Sequence, residues 1–395
     1  LLAGELDTTF DGDGYAILDY GVASGGFDRG YAVAVQPDSK LVVSGEAEKD
    51  VNDGRYLFAM SRFTAAGNPD TSFDVDGKLV FNFGDYDDGN RGDNLLIQAD
   101  GNIVTAGRAE VTGSGYDYGI ARLTAAGDFD TNFDTDGLAT FQPGINKSAE
   151  VDASALQSDG SIVAAGAANL TIMSPATQNG IAAARFNPDG SLSESFDQVD
   201  FPGVTERVKE VVVRDDGKIY VVGGGDVNNA GSNDVIVIRY NTDGTLDTTF
   251  NADGIFTIDV APGQSDFATA VVLQGNQAVI GVSTASNDDF TLLRINDNGT
   301  VDNTFGTSGN GFVTTAFPVA AVVENLALTD DGRIVAGGNE SGGAAAVYHA
   351  NGQLDTSFGT GGTVTHTIAE GNIVARDMAL APDGKIVFSG DVFNG

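Results

Sequence analysis

The sequence has no cysteine and no tryptophan, and its only histidines are His349 and His366. Lack of cysteine excludes disulfides, thiolate metal ligands and a thiol nucleophile. The two histidines stand far apart, each alone in a β-like run, and give poor support to a zinc or copper site or to a general base. Lack of tryptophan weakens carbohydrate stacking and leaves Tyr86, Tyr116 and Tyr118 as candidates for it. Long hydrophobic runs are missing too. The longest apolar stretch, Ala316 to Val323, contains Pro318 and is far too short to span a bilayer. There is no G-x-S-x-G elbow, and the cluster Gly223-Gly224-Gly225 lacks the lysine or helix start of a phosphate loop.

Positive charge is scarce, with 20 Lys+Arg against 56 Asp+Glu and a net charge of −36. Such a surface repels nucleic acid and anionic membranes, both of which need a basic footprint. It attracts cations and keeps a protein soluble outside the cell or in salty water. Hydrophobic residues make up 41% of the chain, enough for a packed core, so disorder is not expected. The first residue is Leu rather than Met, and the chain reads as a processed or partial product.

What is abundant is repetition. The phrase Leu6-Asp7-Thr8-Thr9-Phe10 returns at Pro69, Phe129, Leu192, Leu246, Val301 and Leu354, at periods of 63, 60, 63, 54, 55 and 53 residues. Its phenylalanine stands in all seven copies, as Phe10, Phe73, Phe133, Phe196, Phe250, Phe305 and Phe358. Units of ~55 residues bury little surface alone and must share a core, so residues 1–395 read as a single domain. Each unit carries a β-like run before the phrase, another after it, a variable loop, and then two runs joined by a tight turn. Asp100-Gly101, Asp216-Gly217 and Asp383-Gly384 are such turns; Asp-Gly between β-branched runs is a strong hairpin signal. No stretch shows sustained helical periodicity. Four short strands per unit, seven times over, predict an all-β, seven-bladed β-propeller. With the hairpin strands as A and B and the runs flanking the phrase as C and D, the phrase is the C–D connection. The seventh unit lacks a C strand after Gly390, so the N-terminal run Tyr15 to Tyr20 is expected to close the last blade as its D strand; either the missing strand lies beyond the sequence, the favoured reading, or that blade is imperfect.

The combination G-x-L-D-x-[ST]-F-(x)3-G with a downstream Q-x-D-G-K-I-V-V-x-G resembles the delta-60 repeat family of bacterial proteins. Asp243-Gly244-Thr245-Leu246-Asp247-Thr248-Thr249-Phe250 and Asp216-Gly217-Lys218-Ile219-Tyr220-Val221-Val222-Gly223 carry it here. The resemblance covers essentially the whole chain and implies secreted or surface-attached proteins with propeller-like repeats; it implies no reaction. The fourth copy departs from the pattern, with Ser193 for the aspartate and Gln198-Val199-Asp200 where glycine is expected.

Arg62, Arg122, Arg185, Arg239 and Arg294 occupy one position of the repeat, five residues before the glycine that precedes the phrase. They are expected to pair structurally with the phrase aspartates, since a planar guanidinium suits a carboxylate. The acids that follow the phrase, Asp11 and Asp13 in the first copy, alternate before glycine as ligands do in calcium loops, yet they fade in later copies and lack the glutamate of an EF-hand. A second candidate for Ca2+ is the oxygen-rich loop containing Asp85, Asp87, Asp88, Asn90 and Asp93. Strand polarity places it on the same face as the acidic B–C loop residues Glu46, Glu48, Asp50 and Asp53.

The function expected from these residues is a non-enzymatic structural or binding module, extracellular or on the bacterial cell surface, that recognises its ligand with the long B–C and D–A loops of one face. Its partners are expected to be other surface or matrix proteins or further copies of itself, with no nucleic acid and no direct membrane insertion, and with no cofactor besides the Ca2+ considered above. Two alternatives stay open: a calcium-stabilised adhesin, and a carboxylate-based hydrolase or lyase at the axial channel. A channel lined by glycine and aliphatic side chains would exclude the last.

Overall fold

The computed structural model describes residues 4–22, 27–50, 55–84, 90–110, 115–143, 149–169, 179–203, 206–285, 287–318, 320–340, 342–366 and 372–393. The described residues contain no helix, so none is long and apolar enough to cross a membrane.

Six antiparallel sheets of four strands follow one another along the chain. Blade 1 comprises β1 (Asp28–Val35), β2 (Leu41–Asp50), β3 (Arg55–Phe63) and β4 (Lys78–Phe81). Blade 2 comprises β5 (Arg91–Ile97), β6 (Ile103–Ala109), β7 (Asp117–Leu123) and β8 (Leu138–Phe141). Blade 3 comprises β9 (Ala153–Leu156), β10 (Ile162–Asn169), β11 (Asn179–Phe186) and β12 (Leu192–Ser195). Blade 4 comprises β13 (Arg207–Val213), β14 (Ile219–Gly225), β15 (Asp234–Tyr240) and β16 (Ile255–Ile258). Blade 5 comprises β17 (Asp266–Gln274), β18 (Gln277–Thr284), β19 (Asn287–Ile295) and β20 (Phe312–Thr315). Blade 6 comprises β21 (Val322–Leu328), β22 (Ile334–Glu340), β23 (Gly342–Tyr348) and β24 (Thr363–His366). A seventh sheet has only two strands, β25 (Asn372–Leu380) and β26 (Ile386–Phe393).

The expected seven-bladed ring is therefore corrected to six blades plus a two-stranded sheet. Tyr15 to Tyr20 is not a strand, because no C strand stands between it and β26 to offer a hydrogen-bonding edge. The N-terminal phrase nonetheless lies against this sheet. Lys385 Nζ is 3.0 Å from Asp7 Oδ2, and Asp11 N donates to Ala66 O of blade 1 at 2.8 Å. The circuit closes through the first strands, each packing on the next and β25 returning to β1, with Val33 N donating to Asp377 Oδ2 at 2.8 Å.

The apolar core is a succession of layers between blades. Tyr220 and Val222 of blade 4 pack on Val271 and Ile280 of blade 5, and Val104 and Ile120 of blade 2 pack on Val151 and Ile162 of blade 3. Both faces of each sheet are thus covered, which is why the middle strands read as near-continuous apolar runs, β15 being buried throughout.

Candidate functional site

The phrase forms a clasp between blades. In blade 4, Asp247 Oδ1 accepts from Thr249 N (3.0 Å) and Oγ1 (2.7 Å), closing an Asx turn. Its other oxygen accepts from Arg239 Nε at 2.7 Å. Arg239 Nη1 reaches Asp297 O of the next blade at 2.6 Å, and its guanidinium carbon lies 4.7 Å from the centroid of the Phe250 ring. The same three contacts hold at Arg62, Arg122 and Arg294: to the blade's own aspartate (Asp70, Asp130, Asp302), to a carbonyl of the next blade (Ala125, Pro188, Ala350), and to the ring of Phe73, Phe133 or Phe305. Glycine in the next turn admits the ring: a Cβ on Gly127 would lie 2.5 Å from Phe73, and its φ is +106°. In blade 6, where Val347 replaces the arginine, Arg333, just before β22, reaches Asp355 at 3.2 Å. Six of the seven phrase phenylalanines are buried; Phe10, beside the two-stranded sheet, is half-buried.

The fourth copy behaves differently from the expected C–D connection. It is itself the fourth strand, β12, with Glu194 opposite Arg185 and in ion pair with it. Loss of the aspartate and the glycine removes both turn-formers, so the phrase stays extended along β11, and Arg185 meets a strand carboxylate in place of a turn carboxylate.

The expected ligand loops take several courses. Asp11 and Asp13 are exposed, and Asp13 Oδ1 accepts from Tyr15 N at 3.3 Å. Asp76, Asp136 and Asp253 make the same bond to the residue two places on, which marks the trailing acids as turn-formers. Asn90 Oδ1 accepts from Glu110 N at 2.9 Å, and Asp93 pairs with Arg91 at 2.8 Å. Asp85, Asp87 and Asp88 lie outside the described residues, as do Asp53 and Tyr86. Among the described residues no three histidine or acidic side chains are grouped to hold a metal. Glu46 and Glu48 are buried at 3% and 5% exposure, so neither is a free acid on the loop face.

What sequence reading missed is the inner ring. Six of the seven first strands skip one residue in pairing with the second, a β-bulge at Tyr31, Asp93, Lys209, Thr269, Glu324 and Arg376. Asp152 holds the corresponding place before β9. The glycine that ends the I-V-V-x-G motif stands opposite the bulge: a Cβ on Gly223 would lie 1.9 Å from Arg207 O, and one on Gly107 2.1 Å from Arg91 O. That glycine, six residues after the glycine of the hairpin turn, was the legible signal of a bulge across from it.

The ring is therefore walled by polar side chains, and the condition that would exclude a carboxylate site is not met. Burial pushes the Asp93 carboxyl up to about 6, and burial with the charges of Glu150 and Asp93 pushes Asp152 up to about 8. One position along, burial raises Glu210 to about 8 and Asp377 to about 6. These two carboxylates satisfy backbone N–H groups of the following blade's first strand, Glu210 accepting from Val271 N at 2.6 Å and Asp377 from Val33 N. Asn94 does the same for Ser154 N at 2.9 Å. Towards the B–C and D–A loops the ring opens into a network of charged and aromatic groups. Arg29 and Tyr31 both donate to Glu46 Oε1, at 2.6 and 2.9 Å. Arg376 Nε and Nη2 both donate to Asp391 Oδ2, at 3.0 and 2.8 Å, and Arg91 and Arg108 lie 3.5 and 3.7 Å from Glu150 Oε2. Tyr116 carries Arg108 at 4.2 Å from its centroid, whereas Tyr118 is buried, its hydroxyl donating to Ala182 O. His349 lines a separate cleft of about 810 Å³ with Thr307, Phe312 and Thr363.

Residues 36–73, 98–133, 157–196, 214–250 and 278–305 match the family model described as "Domain of unknown function (DUF5122) beta-propeller", which supports a propeller-repeat family. No curated protein matches the sequence. Among solved structures the chain is similar to the polysaccharide lyase Uly1 at 13% identity and a TM-score of 0.52, covering 92% of this chain and 88% of that one. It is also similar to a virginiamycin B lyase from Staphylococcus aureus, at 12% identity and 0.47, covering 92% of each chain. A third similarity is to the extracellular domain of the putative one component system BT4673 from B. thetaiotaomicron, at 14% identity and 0.45, covering 93% of this chain and 39% of that chain. At 13% identity the likeness to Uly1 is one of fold alone.

Proposed function

We propose that this chain is a non-enzymatic binding module of an extracellular or cell-surface bacterial protein, and that it recognises its ligand at the loop-side mouth of the inner ring. The observation that carries this reading is the use made of the inner carboxylates. Glu210 and Asp377 cap backbone N–H groups of the next blade, and Asp93, Glu150 and Asp391 are held by arginines. Groups so committed are scaffold, and they leave the exposed edges of arginines and tyrosines as the accessible chemistry of the mouth. The net charge of −36 and the resemblance to delta-60 repeats fit an extracellular setting.

A second reading, a hydrolase or lyase, is favoured by one observation: Asp152, raised to about 8, stands beside Asp93 and Glu150. A proton donor and an ionised carboxylate would then share one site. The similarity to the polysaccharide lyase Uly1 adds only its fold to this reading.

One experiment separates the two. The purified chain is incubated with a panel of surface and matrix polymers, and retention is measured together with new reducing ends and unsaturated products. Retention without products is expected. Products that disappear in Asp152→Asn would install the enzyme reading in its place.

A further inference from the structure

Of thirteen arginines, seven (Arg62, Arg122, Arg185, Arg214, Arg239, Arg294 and Arg333) serve the phrases and turns, and four of the other six gather at the mouth of the inner ring. In a chain with 20 cations and 56 acids, this is a local reversal of character. We propose that this mouth binds a sparsely charged saccharide through the carboxylate or sulfate of an acidic sugar residue, with Arg91 and Arg376 as the anchoring cations. The proposal rests on the binding reading above and names its ligand class.

Tyr31 organises the pair. The guanidinium carbons of Arg91 and Arg376, from the sheets on either side of blade 1, lie 5.7 and 5.8 Å from its ring centroid. A guanidinium held over an aromatic ring keeps its N–H donors in the plane and free for an oxyanion. The protein's own carboxylates take only one edge of each. Asp391 occupies Nε and Nη2 of Arg376, and Asp93 and Glu150 face Nε and Nη2 of Arg91. The Nη1 groups have no acceptor among the described residues, and the two side chains are 39% and 27% exposed. Half-exposed Tyr56 and Tyr116, stacked under Arg29 and Arg108, add amphipathic surface of the kind that sugar rings cover. Charge density decides which anion fits. The field of a −36 chain opposes a long polyanion, whereas an isolated charge within a Debye length of the mouth, about 8 Å at physiological salt, meets the arginines first.

The test titrates the unmodified chain calorimetrically with a trisaccharide bearing one terminal glucuronate, its methyl ester, and the same trisaccharide bearing one sulfate. Binding of a charged form at least about tenfold tighter than the ester is expected, and the arm that binds identifies the anion. An Arg91→Gln/Arg376→Gln variant should lose that preference while still folding, at a lowered melting temperature because Asp93 and Asp391 lose their cations. If the variant does not fold, the acid–ester comparison on the unmodified chain decides. Equal affinity for acid and ester, no binding in any arm, or an unchanged preference in the folded variant overturns the proposal. Equal acid and ester binding would leave the module reading standing, whereas cleavage products would remove that reading instead.

Discussion

At the residue scale the most heavily used side chain is the arginine of the repeat. Arg239 is 1% exposed and Asp247 3%, and one guanidinium joins its own turn, the next blade and a buried ring. Removing one member of a buried ion pair leaves the other charge uncompensated and typically costs about 3–5 kcal/mol. Asp247 keeps Lys218 and Thr249 as partners, so Arg239→Ala is expected to cost somewhat less, about 2–3 kcal/mol, in chemical denaturation. Arg185→Ala should cost clearly less, because its partner Glu194 is 32% exposed and water can replace the guanidinium. Comparable losses at both sites would refute a role that depends on burial. The pairing itself was legible, since arginine and aspartate recur at fixed positions; the reach of Nη1 to a carbonyl more than fifty residues away was not.

At the scale of the strand, the bulge is the device that places polar groups at the axis. It inserts one residue where a regular ladder would continue and so re-aims the side chains that follow. In blade 4 Gly223 accommodates it, since any Cβ there meets the Arg207 carbonyl, whereas blade 5 keeps its bulge with Val282 at that place. Gly223→Ala should destabilise by about 1–3 kcal/mol through overpacking. Gly281→Ala should cost less, because its Cβ meets the side chain of Val323, which can shift, and no backbone atom. Thermal unfolding of the two variants in parallel checks this, and equal losses would count against the bulge as the reason for the glycine.

For the whole molecule, two sets of carboxylates give stability opposite dependences on pH. Burial alone would raise Asp247, but hydrogen bonds from Lys218 and Thr249 and the charge of Arg239 hold it well below the usual range; Asp70 is lowered against its burial by Ser72, Lys40 and Arg62. Their contribution is present above the unfolded carboxylate pKa, near 4, and is lost as pH falls below it. Glu210 and Asp152, raised to about 8, bind their protons more tightly folded than unfolded. They are neutral in effect below about pH 4, destabilise increasingly up to about pH 8, and level off beyond. The melting temperature should accordingly peak at about pH 4–5 and decline towards pH 8. Glu210→Gln keeps an acceptor for Val271 N without a charge, so it should flatten that decline and raise the melting temperature at pH 8 by roughly 2 °C or more. An unaltered profile would mean that Glu210 is hydrated.

The repeat and its turn chemistry, all local, sufficed to establish the all-β propeller architecture and the phrase as its clasp, because hairpins and Asx turns depend on residues a few places apart. Two features were settled only by tertiary structure. The number of complete blades depends on whether each strand finds an edge to pair with, and the run Tyr15 to Tyr20, β-like in pattern, has none. The polar mouth draws on residues as distant as Arg376, Tyr31 and Arg91, which meet only because the first strands close on themselves around an axis. No local pattern records that closure, which comes from the packing of one sheet face on the next.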